Sequence, residues 1–194
     1  LDWEYPLEGG AEGTAYRVED PANLVKLARA VRRAFDTHPQ AGDRILTVAV
    51  PGSYQPLATR YRLRPLSEQV DWFHVMAYDF AGSWLPGVGH NAPLTAPGNP
   101  EYLSFSVSGA VAAMEVLGVP SGKTVLGISL SGVRFEGVRV EGTTVKGAPF
   151  ESVDEAAAQD GWNDYRSLVP QVLYPVDVTD WKVVEEQKVA SLVA

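Results

Sequence analysis

Residues 1–6 read LDWEYP. Leu1, Trp3 and Tyr5 alternate with Asp2 and Glu4, the period-two pattern of a β-strand, which sets the three large apolar side chains on one face and both carboxylates on the other. Carboxylates at i and i+2 of a strand lie about 6–7 Å apart. Two negative charges that close repel, and sharing a proton between them is one way to keep a carboxylic acid available for donation to a leaving group. Solvated acids on an edge strand have the same spacing. The aromatic neighbours Trp3 and Tyr5 make an exposed edge less natural. Read alone, the six residues leave both interpretations open.

Outward from this segment, a glycine-rich loop EGGAEG (8–13) leads to Asp20-Pro21, a helix start with proline in the first turn. Leu24, Leu27, Val31 and Phe35 recur at helical spacing and predict a helix over 21–36. The β-branched run ILTVAVP (45–51) ends at Pro51-Gly52 and predicts a strand buried on both faces. A short helical turn is expected around 65–70, then a second strand in WFHVMAYDF (72–80) and a long loop to about residue 102. Loops of that length within a domain usually carry function. Ser106 can cap a helix that sets Val107, Val111, Met114 and Leu117 on one side and stops at Gly118 and Pro120. TVLGISL (124–130) reads as the next buried strand. Strand, helix, strand, helix, strand is the α/β signature of a parallel sheet with outer helices.

After Leu130 the texture changes to alternation with repeated glycines, which predicts short antiparallel hairpins. A brief helix is expected over 153–159, a turn at DGWNDY (160–165), and the start of an outer helix over 185–193. The sequence starts inside a strand pattern and stops inside a helical one, as expected of a portion of a larger barrel. Taken alone, such a portion is expected to be inactive, because it exposes strand edges.

The 194 residues carry a net charge of −8 and 45% hydrophobic residues. That length can bury a core, and the acidic balance argues against nucleic acid, whose binders carry basic patches. Arg32–Arg33 and the arginines at 60, 62 and 64 are short, interrupted runs suited to solvated faces. The absence of cysteine excludes disulfides, thiolate nucleophiles and cysteine-ligated zinc. No stretch approaches the ~20 apolar residues of a membrane helix. A neutral substrate fits this composition best.

Tyr78 and Asp79 end the second predicted strand just before a loop, where barrel enzymes place functional residues, although a core tyrosine and a turn aspartate would look the same. Trp84 is a stacking platform for a sugar ring or the small core of its own loop. His90 and Asn91 are candidate ligands, yet a lone histidine in a glycine-rich loop more often makes structural hydrogen bonds. His38 and His74 do not share metal-site spacing with it. No phosphate loop and no GxSxG elbow is present.

Taken together, these segments resemble the family 18 glycoside hydrolases, the chitinases. LDWEYP is similar to the end of that family's DGxDxDWEYP signature, VAVPGSY to the following barrel strand, and VDWFHVMAYDFAGSW to the next strand with its MxYD motif. GHNAPL, SVSGAVAAMEVLGVPSGKTVLGISL and GWNDYRSL resemble later family segments, the last in chitinases of fungal type. The likeness is close to about residue 130 and looser beyond.

The resemblance implies a partial (β/α)8 TIM barrel acting on β-1,4-linked N-acetylglucosamine. Residues 1–133 would be the catalytic barrel portion, 134–176 a reduced α+β insertion and 177–194 a return to a barrel helix. It further implies that Glu4 is the acid/base and Asp2 the aspartate that turns toward it. Tyr78 would hydrogen-bond the substrate's N-acetyl group beside Asp79, Met76 and Tyr5 would line the pocket, and Trp84 would contact the sugar on the leaving-group side. In this family the substrate's acetamido oxygen is the nucleophile, so a second carboxylate nucleophile is absent. No metal or organic cofactor is required. The implied partner is chitin or a chitooligosaccharide, with no nucleic acid and no membrane, for a monomer; the compartment stays open, with an extracellular setting favoured over a cytoplasmic one.

The sequence departs from the family where PLYGR is replaced by SLSGV. Ser129, Ser131 and Val133 stand at the proline, tyrosine and arginine positions. Valine cannot hydrogen-bond a sugar, and the short insertion predicts a shallower cleft suited to endo action or weaker binding. Two alternatives therefore accompany the chitinase reading. One is a chitinase-like lectin that binds without turnover, the other an endo-β-N-acetylglucosaminidase.

Overall fold

The computed structural model describes residues 1–39, 43–96, 98–141, 145–153 and 163–164. They fall into two units, Leu1–Ala77 with Ala96–Gly127, and Tyr78–Thr95 with the residues from Ile128 onward.

The first unit is built on a parallel sheet of β1 (Thr47–Pro51), β2 (Trp72–Met76) and β3 (Thr124–Leu126), in that order. Val48 stands opposite Phe73 and Val50 opposite Val75, while Phe73 and Val75 stand opposite Thr124 and Leu126. Gly127 N–H donates to the Val75 carbonyl at 2.8 Å and carries the ladder one step further. On the other edge of β1 lies the N-terminal segment. The Leu1 nitrogen donates to the Thr47 carbonyl, and the Ala49 amide donates to the Leu1 carbonyl at 2.9 Å. One residue bonding to both neighbours of its partner is the parallel pattern. LDWEYP therefore enters the sheet as a strand does, although its regular pairing stops after Leu1.

Among the described residues, four α-helices supply the crossovers. In α1 (Asp20–Thr37), Pro21 occupies the first turn, where its missing N–H costs no bond, and the Asp20 carboxylate accepts the Arg17 amide at 2.9 Å. α2 (Tyr54–Arg60) and α3 (Leu63–Ser67) lie between β1 and β2. α4 (Val107–Val116) starts at Ser106, whose hydroxyl accepts the Gly109 amide at 3.1 Å, and it ends at Gly118, where φ is +86°. Leu24, Val25 and Ala28 of α1, Leu57 of α2, Leu63 and Leu66 of α3, and Ala110, Ala113 and Met114 of α4 are buried with Val48, Val50, Phe73 and Val75.

Three expectations need correction. β1, expected to be buried on both faces, is only half-buried at Thr47 and Ala49, with Val48, Val50 and Pro51 buried; in β2, Trp72 and His74 are exposed. β3 is half-exposed, since among the described residues it has a strand neighbour on one side only. The buried stripes of the helices are also rotated from those expected. Leu27 of α1 is exposed while Val25 and Ala28 are buried, and α4 buries Gly109, Ala110, Ala113 and Met114. Small residues let the α4 backbone approach its neighbours closely, which a search for large apolar side chains does not register. Gly109 shows this, because a Cβ there would lie 2.3 Å from the Ser104 carbonyl oxygen.

In the second unit, β4 (Ser131–Gly132) pairs antiparallel with β7 (Asn163–Asp164), and β5 (Phe135–Glu136) with β6 (Ser152–Val153). The antiparallel pairing expected after Leu130 is present, with partners further apart in sequence than a tight hairpin allows. Asn163–Asp164 form a short strand where a turn was expected. The helix expected over 153–159 falls, beyond Val153, outside the described residues, as does the one over 185–193.

An ion pair clamps α1 to the sheet. Arg32 donates to Asp71 at 2.6 Å and to the Gln69 carbonyl at 3.0 Å, while Asp71 accepts the Leu46 amide at 2.6 Å. Burial alone would raise the Asp71 carboxyl, but the Leu46 amide and the Arg32 guanidinium outweigh it and hold the group below its ordinary value of 3.8. A depressed carboxyl stabilises the fold above the unfolded-state value, and that contribution is lost as pH falls through the folded-state value. Asp71→Asn is therefore expected to lower the thermal midpoint at pH 7 by a few degrees, for a cost of about 1 kcal/mol. The difference from the parent should shrink as the pH is taken below 3.8, which thermal melts of both proteins from pH 2.5 to 7 would measure.

Candidate functional site

Leu1 anchors the segment to β1, and the alternation expected from the sequence follows. Asp2 and Glu4 are exposed, whereas Leu1, Trp3 and Tyr5 are half-buried and Pro6 is buried. The Glu4–Tyr5 peptide is cis. The glycine-rich loop folds back against this peptide. Gly10, at φ +87°, lies so close that a Cβ there would stand 2.0 Å from the Glu4 carbonyl oxygen and 3.3 Å from the Tyr5 nitrogen. Gly9, at φ +83°, sits against the Arg60 guanidinium, and its carbonyl accepts the Tyr16 hydroxyl. The loop therefore needs glycine for backbone angle and for space at once.

The end of α2 meets the same peptide. The Arg60 guanidinium lies 5.3 Å from the centre of the Tyr5 ring and pairs with Glu8 at 3.3 Å. The Tyr61 hydroxyl lies 3.4 Å from the Trp3 carbonyl oxygen, which it can reach as a donor. Burial raises the Tyr61 phenol well above its ordinary value of 10, and the nearby Tyr5, Glu4 and Asp2 raise it further, against the opposing effect of Arg60. Tyr61 is thus a neutral donor and not an acid at any ordinary pH. Sequence reading missed both residues. Their only local signal was a tyrosine and an arginine ending a helix that was not itself foreseen, more than 50 positions from the acids.

Asp2, Glu4 and Tyr5 are thus brought together with Arg60 and Tyr61 in the first unit. Met76, also in this unit, is half-buried at the end of β2, in register with Pro51. Chemically, the arrangement offers an accessible Glu4 carboxyl on a backbone contacted from two directions, with a second exposed carboxylate, Asp2, two residues away.

Tyr78, Asp79 and Trp84 belong to the second unit. Asp79 has φ +57°, a left-handed conformation that aspartate tolerates better than most residues. The Phe80 amide donates to the Asn91 carbonyl at 2.9 Å, and the Asn91 side-chain amide donates to the Ser129 hydroxyl at 3.4 Å. Asn91 thus makes hydrogen bonds within its own unit. Trp84 is 64% exposed, which removes the option of a small loop core. Its ring lies over Gly82, where a Cβ would stand 2.3 Å from the indole. Val133 is half-buried, and the adjacent Arg134 pairs with Glu136 at 3.4 Å. Among the described residues, no group of three His, Asp or Glu side chains is placed to hold a metal ion, and no helix is long and apolar enough to cross a membrane.

Residues 1–190 match the model of glycosyl hydrolases family 18, and the chain belongs to that family. Its parallel strands with helical crossovers are part of the family's (β/α)8 barrel. Chitinase A1 of Niallia circulans is 35% identical over 135 residues, which is 66% of this chain and 19% of that protein. Endochitinase 1 of Metarhizium robertsii is 34% identical over 176 residues, 87% of this chain and 37% of the other. Among solved structures, catalytic domain 2 of the Group II chitinase of Ostrinia furnacalis, as a mutant in complex with penta-N-acetylchitooctaose, is 28% identical. It superposes with a TM-score of 0.74 over 94% of this chain and 46% of that one. The chain thus spans less than half the length of each of these relatives.

The contact between Gly10 and the Glu4 carbonyl carries a prediction. Gly10→Ala is expected to destabilise the protein by at least about 1–3 kcal/mol, from the positive φ alone. Gly13→Ala, also at positive φ but with nothing within 4 Å of the added Cβ, should cost less. Paired thermal denaturation of the two variants checks the order.

Proposed function

We propose that the protein carrying this chain hydrolyses β-1,4 linkages between N-acetylglucosamine units of chitin, with Glu4 as the acid and then the base. The observation that carries this reading is the pair Asp2 and Glu4, both exposed on a segment anchored to the parallel sheet of a family 18 chain. Several relatives are chitinases, and one structural neighbour holds a chitooligosaccharide, which supports the substrate class.

In this reading the substrate's own acetamido oxygen attacks the anomeric carbon while Glu4 protonates the departing glycosidic oxygen. The bond to the leaving sugar breaks, its electron pair goes to the oxygen that Glu4 has protonated, and an oxazolinium-like species forms. Asp2 holds the acetamido N–H and stabilises the positive charge, and Tyr78 orients the acetamido oxygen. Glu4, now a carboxylate, takes a proton from the incoming water as the water oxygen bonds to the anomeric carbon and the bond from that carbon to the acetamido oxygen breaks, so two successive inversions retain the anomeric configuration. Tyr5, Met76 and Asp79 contribute to the sugar site, and the exposed Trp84 ring offers a stacking surface on the leaving-group side. Endo action accords with the short insertion. No metal or organic cofactor takes part.

Val133 favours a second reading. A family arginine that would hydrogen-bond the sugar is absent at that position, and its loss weighs toward a protein that binds chitooligosaccharide without cleaving it. Turnover of chitohexaose by the full-length protein separates the two. The hydrolase reading expects measurable products and a loss of about 10²–10⁴-fold in kcat for Glu4→Gln, with chitohexaose still bound. Binding with no turnover in the parent would establish the lectin, and unchanged turnover in Glu4→Gln would remove Glu4 from the mechanism.

A further inference from the structure

Arg60 is the last residue of α2, and Tyr61 leaves the helix in an extended conformation, φ −129° and ψ 145°. The switch from helical to extended backbone sends two consecutive side chains in different directions. Both nevertheless finish on the peptide that carries Glu4. The Tyr61 hydroxyl lies 3.4 Å from the carbonyl oxygen of Trp3, the residue before Glu4, and the Arg60 guanidinium lies 5.3 Å from the ring of Tyr5, the residue after it.

The Arg60 Nε is buried and has no hydrogen-bond partner among the described residues, an unfavourable state for a guanidinium nitrogen. What the side chain gains is external to that atom, namely the face of Tyr5 and the carboxylate of Glu8 in the glycine-rich loop. Tyr61 is 5% exposed, and Asp2, Glu4 and Tyr5 are close enough to act on its phenol together with burial. Its proton stays in place, so the contact with the Trp3 carbonyl persists whatever the charge on Glu4.

We propose that Arg60 and Tyr61 are positioning residues for Glu4, gripping the backbone on either side of it and fixing the angle at which its carboxyl meets the glycosidic oxygen. This rests on the hydrolase reading given above. Neither residue touches the sugar in this scheme. Their effect therefore falls on the chemical step, because a displacement of about 1 Å in a reacting group can cost about 10²-fold in rate while leaving substrate binding nearly intact.

The test compares Tyr61→Phe, Arg60→Met and Arg60→Lys with the parent in the full-length protein. Arg32→Met, which breaks the Arg32–Asp71 clamp, serves as a structural control. For each, kcat and KM on chitohexaose, the thermal midpoint, and hydrogen–deuterium exchange of the peptide covering residues 1–8 are measured. Tyr61→Phe is expected to lower kcat about 10-fold and Arg60→Met about 30-fold or more, with KM within about twofold. Exchange at residues 3–8 should accelerate in both. Arg60→Lys should recover part of the loss, since it restores the cation over Tyr5 without the planar fork. Arg32→Met should lower the midpoint with kcat and exchange at 3–8 unchanged.

Loss of kcat in Tyr61→Phe and Arg60→Met only in proportion to the fall in midpoint, or a loss below twofold in both, overturns the proposal. If the parent turns over chitohexaose and Glu4→Gln does not, that failure leaves the hydrolase reading standing. If the parent shows no turnover, the hydrolase reading falls. The exchange data then decide the grip on the backbone alone, and unchanged exchange in both variants overturns it.

Discussion

The pairing of Leu1 with β1 is the constraint on which the rest of the site depends. The Thr47 carbonyl and the Ala49 amide fix Leu1 in a parallel register, and the side chains that follow alternate between exposed and half-buried. Had the segment entered one residue later or earlier, Trp3 and Tyr5 would face outward and both acids would turn toward the interior. Burying two carboxylates without partners is costly, and burying two aromatic rings is favourable, so the packing and the chemistry select the same register. Glu4 is exposed while Trp3 and Tyr5 are half-buried.

That register fixes which face Glu4 occupies but not the conformation of the backbone around it, because regular pairing stops at Leu1. Two non-adjacent parts of the chain act where the ladder ends. The glycine-rich loop lies on the Glu4 carbonyl with a backbone approach that only glycine permits, and the last turn of α2 reaches the residues on either side. α2 follows β1 in sequence, and β1 is the strand that anchors Leu1. One β-strand and the helix after it therefore set both the register of the acid-bearing segment and its local conformation. The salt link from Arg60 to Glu8 joins the loop to the same helix end.

Much of this architecture was legible in the sequence because its causes are local. The apolar run rich in β-branched residues over 45–51, the Asp20-Pro21 start and the Ser106 cap each act within a few positions, and the elements appear where they were expected. The alternation in LDWEY was also correct. What was not legible arises from long range or from smallness. α2 was missed because its seven residues are too few to establish a period and contain Pro56, which reads as a breaker but is harmless in a first turn. The α4 stripe of Gly109, Ala110 and Ala113 has no bulky signal, and Arg60 and Tyr61 meet the acids only through the fold. The resemblance to a known family nominated the site residues, whereas the contacts of Arg60, Tyr61 and the glycine-rich loop with the backbone around Glu4 arise only in the folded chain.

In the proposed mechanism Glu4, set by this register, serves first as acid and then as base around a nucleophile belonging to the substrate. The anomeric form of the first product reports this most directly. Proton NMR of chitohexaose during the opening minutes of hydrolysis by the full-length protein should show β-anomer at the new reducing ends before mutarotation. Initial release of the α-anomer would contradict the account.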